Sequence, residues 1–188
     1  MERDKKDLII NAALKLFVDN GFHGTATSKI AQEAGVANGT LFQYFKTKDE
    51  LVIALYIHFK DELAEYTSKN TAKNADIKET LKSQVLSSLF WALDNPTKFR
   101  FMQKFHTSPY IGQVEQDVLQ KQTEPHLTLI QKGIKQGILK PLPADLIYSI
   151  MSNQVFGLYQ YLISKKLSKP KQHETIQTTF EMLWDMLT

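Results

Sequence analysis

No cysteine occurs anywhere in the 188 residues. Disulfide staples, thiolate metal sites and cysteine nucleophiles are thereby excluded, and the composition suits a reducing, cytoplasmic setting. No stretch is apolar for long enough to span a bilayer. The opening Met1-Glu-Arg-Asp-Lys-Lys-Asp7 is charged and runs into an amphipathic pattern, unlike the apolar core of a signal peptide. Glycine-rich phosphate loops and nucleophile-elbow patterns are missing as well. His23, His58, His106, His126 and His173 are too scattered to form a local metal-ligand set. No metal or cofactor is therefore expected, and the absence of a convergent titratable set argues against an enzyme. Nor is charge of one sign dominant. Lys+Arg 23 against Asp+Glu 20 leaves a formal net charge of +3 and a pI near 8.9. That balance permits nucleic-acid binding without arguing for it, so the case must rest on particular residues.

What is present is helix. Hydrophobic residues make up 43% of the chain, enough for a proper core. Strict alternation is not found, and Asn38-Gly39 lies between helical patterns rather than between strand-like runs. Leu8, Ala12 and Leu16, with Ile9, Ala13 and Phe17, recur at helical spacing up to a stop at Gly21. Thr25 to Ser28 offers N-cap chemistry for a second short helix, which Gly35 breaks. A third carries Thr40 to Phe45. Thr47-Lys48-Asp49-Glu50 has the form of a capping box, opening a longer helix through Leu51, Leu55, Phe59 and Leu63. The polar stretch 68–76 ends it. Asn95-Pro96 opens a further helix, Gly137 closes another, and Pro143 opens the next. The fold expected is all-α, with a small three-helix domain over 1–47 and a larger helical domain over 48–188.

The segment from Lys29 to Phe45 meets the needs of a helix-turn-helix. Ala31 is small where two helices approach closely. Gly35 sits where the turn requires positive φ, which is costly for a residue with a Cβ. Ile30, Ala34, Val36, Leu41 and Phe45 can form one small core, leaving Asn38, Thr40, Gln43 and Tyr44 outward. Asn and Gln can pair bidentately with adenine, and a Thr methyl can touch that of thymine. Tyr44, Lys46 and Lys48 are placed to bind phosphate, and the free amides at the start of the fourth helix also favour an anion. Thr27 and Ser28 can act likewise at the start of the second. A packed three-helix adaptor that contacts protein instead is the alternative reading of the same spacing.

Thr27 through Leu51 resembles the signature of the TetR/AcrR family nearly end to end, as do Ala12–Phe17 and Asn20-Gly-Phe22 before it. That resemblance implies an all-helical homodimeric DNA-binding regulator, commonly a repressor, whose C-terminal domain holds an inducer. By position it makes Thr27, Tyr44 and Lys48 phosphate contacts. Ser28, Asn38, Thr40 and Gln43 become base readers beside Gly39. Phe42 stands where the family commonly has Tyr, so a hydroxyl contact is lost, and Ser28 is short for reaching a base. DNA shape then contributes more to the readout.

In the C-terminal part, clustered aromatics suggest either a plain core or an apolar pocket for a small hydrophobic ligand. The candidate lining is Phe90, Trp91, Met102, Phe105, His126, Gln154, Phe156 and Tyr159. Pro125 interrupts a helical pattern and frees the carbonyl of Lys121, with His126 beside it. His126 and Gln154 are either polar anchors for a ligand or ordinary core groups. The helices 143–165 and 171–187 are expected to pair with a second copy. Ile147, Met151, Leu158, Ile176, Phe180, Leu183, Trp184 and Leu187 are the candidate dimer residues. Such a dimer would read two half-sites about 34–36 Å apart.

Overall fold

A computed structural model of the chain describes the backbone of residues 2–71 and 75–188, and the side chains of 5–71 and 75–188. Part of the charged start and the middle of the polar stretch 68–76 lie outside the described residues. The helices are α1 (Glu2–Asn20), α2 (Thr27–Glu33), α3 (Asn38–Tyr44), α4 (Lys48–Asn70) and α5 (Ile77–Asp94). They continue with α6 (Pro96–His106), a short 3-10 turn (Pro109–Gln113), α7 (Gln116–Lys135), α8 (Ala144–Lys165) and α9 (Lys169–Leu187). No strand occurs among the described residues, as the all-α expectation requires. By compactness the chain forms two units, Met1–Asp61 with Asn95–Glu115, and Glu62–Asp94 with Gln116–Thr188.

In the first unit α1 packs on α2 and α6, and α2 packs on α3. Ile9, Ala13, Phe17, Ile30, Leu41, Leu51 and Leu55 are fully buried there. Leu8, placed by its spacing on the apolar stripe of α1, instead faces solvent, because the buried stripe is centred on Ile9, Ala13 and Phe17. Much of the core is aromatic. Phe22 lies edge-on to Tyr110 at 5.3 Å and to Phe101 at 5.6 Å, and Tyr56 stacks on Phe105 at 4.1 Å. Such pairs add about 0.5–1.5 kcal/mol each beyond the area they bury.

The second unit is built from α5, α7, α8 and α9, with α8 touching the other three. Leu81, Leu89, Ile147, Tyr159, Leu162, Ile176 and Phe180 form its centre. Glu181 of α9 accepts from Lys78 at 2.6 Å and from Lys82 at 2.8 Å, both on α5. The α7–α8 connection is held to the end of α9, where the Lys140 amide donates to the Leu187 carbonyl at 2.8 Å. Gly133 is required by a close approach, since a Cβ there would fall 2.8 Å from Leu139 Cδ1. Among the described residues, no helix is long and apolar enough to cross a membrane.

Candidate nucleic-acid interface

The turn between α2 and α3 follows from Gly35. Its φ of +66° lets the Val36 amide reach the Ala31 carbonyl at 3.0 Å while the Gly35 amide reaches Gln32 at 3.1 Å. These are the two bonds of a Schellman closure, and they satisfy the Ala31 and Gln32 carbonyls at the end of α2. Beneath it Ile30, Ala31, Ala34, Leu41 and Phe45 are buried and Val36 is half-buried. The sequence-derived mini-core therefore forms as expected. Its outer face carries Asn38, Gly39 and Gln43 exposed, with Thr40 and Tyr44 half-buried. Phe42 is 40% exposed on the same short helix. A Cβ at Gly39 would meet nothing within 4 Å, so packing does not demand glycine at that position.

The start of α2 differs from expectation. Thr25 does not cap it. Its buried hydroxyl donates to the Gly21 carbonyl at 2.8 Å and lies 3.1 Å from that of Leu16, bolting the α1–α2 turn to the end of α1. The N-cap position is Ala26, in extended conformation and without a side-chain cap. Thr27 is half-buried and Ser28 exposed at the first turn. An ion pair of 2.6 Å between Lys15 and Glu33 links α1 to α2 at the surface.

The capping box of α4 is formed. The Glu50 amide donates to Thr47 Oγ1 at 3.0 Å, and the Glu50 carboxylate accepts from the Lys46 amide at 2.9 Å. This alters the anion site expected at that helix start, because amides there are engaged and Asp49 and Glu50 bring negative charge to the first turn. Lys48 is half-buried, and its ammonium donates to the Phe22 carbonyl at 3.0 Å and to that of Thr25 at 3.4 Å. It ties the beginning of α4 to the turn that presents Thr27. Lys46 is exposed.

Behind this face α4 is clamped to α6 and the 3-10 turn. The Tyr110 hydroxyl donates to Asp49 Oδ1 at 3.1 Å; burial first, and then this bond to the carboxylate, raise the tyrosine pKa. The Tyr56 hydroxyl lies 3.3 Å from His106 Nε2. Burial of the ring, and secondarily the charge of Lys60, push the His106 pKa down to about 4. The residue retains a solvent-exposed edge. No sequence pattern flagged this contact, which joins residues fifty positions apart.

Two family descriptions match the chain. Residues 9–55 match "Bacterial regulatory proteins, tetR family", and residues 56–188 match "Tetracyclin repressor-like, C-terminal domain". The fatty acid metabolism regulator protein of Bacillus subtilis is 30% identical over 94% of this chain and 84% of its own length. A TetR family transcription regulator from Shewanella sp. PV-4 is similar in structure, with a TM-score of 0.88 and 32% identity over 97% of each chain. The chain belongs to the TetR family of bacterial transcription regulators. The fold also matches that of FadR from Bacillus subtilis, solved in complex with stearoyl-CoA, with a TM-score of 0.80 and 22% identity over 97% of this chain and 100% of that one. Membership decides between the two readings of the helix-turn-helix: in a TetR regulator it is a DNA-binding element, and the adaptor is not favoured.

The residues proposed for ligand binding are not brought together in one unit of this TetR regulator. Met102 and Phe105 are buried in the first unit, where Phe105 belongs to the aromatic core of α4 and α6. Phe90, Trp91, His126, Gln154, Phe156 and Tyr159 belong to the second. Trp91 and Tyr159 are buried, and Phe90 stacks on His173 at 5.4 Å. His126 faces inward as expected, with Nδ1 3.1 Å from Gln84 Oε1 and the ring stacked on Tyr148 at 5.5 Å. Gln154 donates to the Thr179 carbonyl at 3.0 Å.

The residues expected at a dimer interface are mostly occupied within one chain. Ile147, Met151, Ile176, Phe180, Leu183 and Leu187 are buried. Leu158 is half-buried, and so is Trp184, which stacks on Phe180 and lies under Lys78. Their spacing correctly marks the apolar stripes of α8 and α9, but those stripes face the unit's own core. The large apolar side chains left outside on these helices are Leu146, Tyr161, Ile163, Met182 and Met186.

Proposed function

We propose that the chain is a cytoplasmic homodimeric repressor that leaves a palindromic operator when a small, largely apolar molecule occupies its C-terminal part. The observation that carries the DNA-binding half is the outer face of α3. Asn38, Gly39 and Gln43 stand exposed over a buried mini-core, with no packing role for the side chains. In this reading Ser28, Asn38, Thr40 and Gln43 read base edges, and Gly39 lets the backbone come close. Thr27, Tyr44, Lys46 and Lys48 hold phosphate. The ammonium of Lys48 uses two backbone carbonyls, so its phosphate role is combined with fixing the turn before Thr27.

The ligand half is supported by the family and by the names of its relatives. One is a fatty acid metabolism regulator, and another TetR-type structure contains stearoyl-CoA. A molecule with a long hydrocarbon portion is the corresponding ligand class here. Phe90, Trp91, His126, Gln154, Phe156 and Tyr159 are its candidate contacts. To displace the repressor the molecule must bind the released conformation more tightly, since equal affinity shifts nothing. The dimer forms through the outward faces of α8 and α9, where Leu146, Met182 and Met186 are exposed.

Fluorescence anisotropy with the DNA upstream of the protein's own coding sequence tests this reading. Sequence-selective binding that weakens steeply with salt, at two half-sites about one helical turn apart, is the expected result. Equal affinity for scrambled DNA would sink it.

A further inference from the structure

The interior of the second unit contains polar atoms that the fold leaves without partners. Gln122 on α7 has both amide atoms buried, and neither Nε2 nor Oε1 makes a hydrogen bond among the described residues. Gln154 Oε1 on α8 and Thr67 Oγ1 on α4 are buried and unpartnered as well. Folded proteins pair the large majority of buried side-chain polar atoms, and leaving one unpaired is destabilising. A glutamine with both ends bare is the least expected member of this set. A carboxamide both donates and accepts, so a single complementary group can satisfy both ends.

Its position is specific. Gln122 lies one turn before His126 and therefore on the same face of α7. His126 meets Gln84 of α5 and Tyr148 of α8, so three helices converge at this level. Pro125, inside α7, has no N–H for the Lys121 carbonyl. The polar groups on this face are thus the Gln122 amide and the paired His126 ring and Gln84 amide, with no fixed charge among them. No lysine is buried among the described residues of this unit, which contains no arginine. The half-buried Lys78 and Lys82 are both taken by Glu181. A buried carboxylate or phosphate would lack the cationic partner it needs.

We infer that the Gln122 amide is where the second unit reads its ligand, and that the group it reads is uncharged, with a donor beside an acceptor, as in a carboxamide. This rests on the ligand-responsive reading above and names the polar end of that ligand. His126, a candidate contact in the reading above, and Gln84 engage each other beside this amide.

The test uses the full-length protein and three probes of one chain length: dodecanamide, methyl dodecanoate and dodecanoate. Binding is read by tryptophan fluorescence and by the shift in melting temperature. Dodecanamide is expected to bind about tenfold or more tightly than either other probe, the effect of one good buried hydrogen bond. Gln122→Leu should erase that preference and leave amide and ester binding alike. Without any probe, Gln122→Leu should melt at or above the wild-type temperature, because an unsatisfied amide gives way to an apolar side chain of similar size. Equal binding of all three probes by the wild type would overturn the inference and leave the ligand-responsive reading standing. Binding of none would remove both. A lower melting temperature for unliganded Gln122→Leu would show that the amide is bonded within the fold, and would also overturn it.

Discussion

Lys48 is proposed to serve two purposes. Its ammonium holds the Phe22 and Thr25 carbonyls, and a third N–H remains for a phosphate. Lys48→Ala should weaken binding to every DNA sequence and reduce the log–log salt slope by about one. A weakened affinity with an unchanged slope would mean that Lys48 acts only by fixing the turn; unchanged affinity would remove both roles. His106 makes a second prediction at this scale. Its folded pKa is depressed from 6.5 towards about 4. Above 6.5 the ring is neutral folded or unfolded and contributes no pH dependence. As pH falls from 6.5 towards 4, the unfolded chain takes up the proton first, so folded stability is lost across that window. Urea unfolding of wild type and His106→Asn over this range should converge at low pH; parallel curves would contradict the assignment.

The elements are set by their ends. The box of Thr47 and Glu50 starts α4 three residues before a buried Leu51, and Gly35 and Gly137 close α2 and α7 with positive φ. Gly35→Ala would place a Cβ in the left-handed region, at about 1–2 kcal/mol. No atom lies within 4 Å of that Cβ, so the expected loss is conformational rather than steric. Chemical denaturation should show destabilisation of that order, accompanied by weaker operator binding, since the angle between α2 and α3 depends on this turn. Stability equal to wild type would mean that the turn tolerates a side chain. The α1–α2 turn was harder to read from sequence. Thr25 looked like a cap because Thr is a good N-cap, but the carbonyls of Leu16 and Gly21 compete for its hydroxyl. Those acceptors come close only once the turn has folded.

For the whole molecule the consequential surface is the outward side of α8 and α9. Met182 is 68% exposed, whereas Phe180, two residues earlier, is 1% exposed. The two should therefore fail differently. Met182→Glu should leave the unfolding transition of the chain in place while shifting sedimentation towards a monomer and weakening binding to a two-half-site operator. Phe180→Ala should destabilise the fold itself by about 3–5 kcal/mol. A Met182→Glu protein that remains dimeric would place the interface elsewhere. The sequence stripes of α8 and α9 are buried within the chain itself. Periodicity finds a buried face without saying whether the same chain or another copy buries it.

The helix-turn-helix was legible in the sequence because its determinants are local. Gly35 at the turn, small Ala31 at the crossing, Ile30, Leu41 and Phe45 beneath and polar residues outside all fall within seventeen positions. The all-α class followed from the same short-range periodicity. Only the tertiary structure assigned Phe101 and Phe105 to the core of the first unit, set His106 against Tyr56, and left the Gln122 amide buried without a partner among the described residues. Each of those facts concerns groups that meet, or fail to meet, across long separations in the chain. Hydrophobic packing selects such neighbours by shape and area, and neither is written in the spacing of residues along one helix.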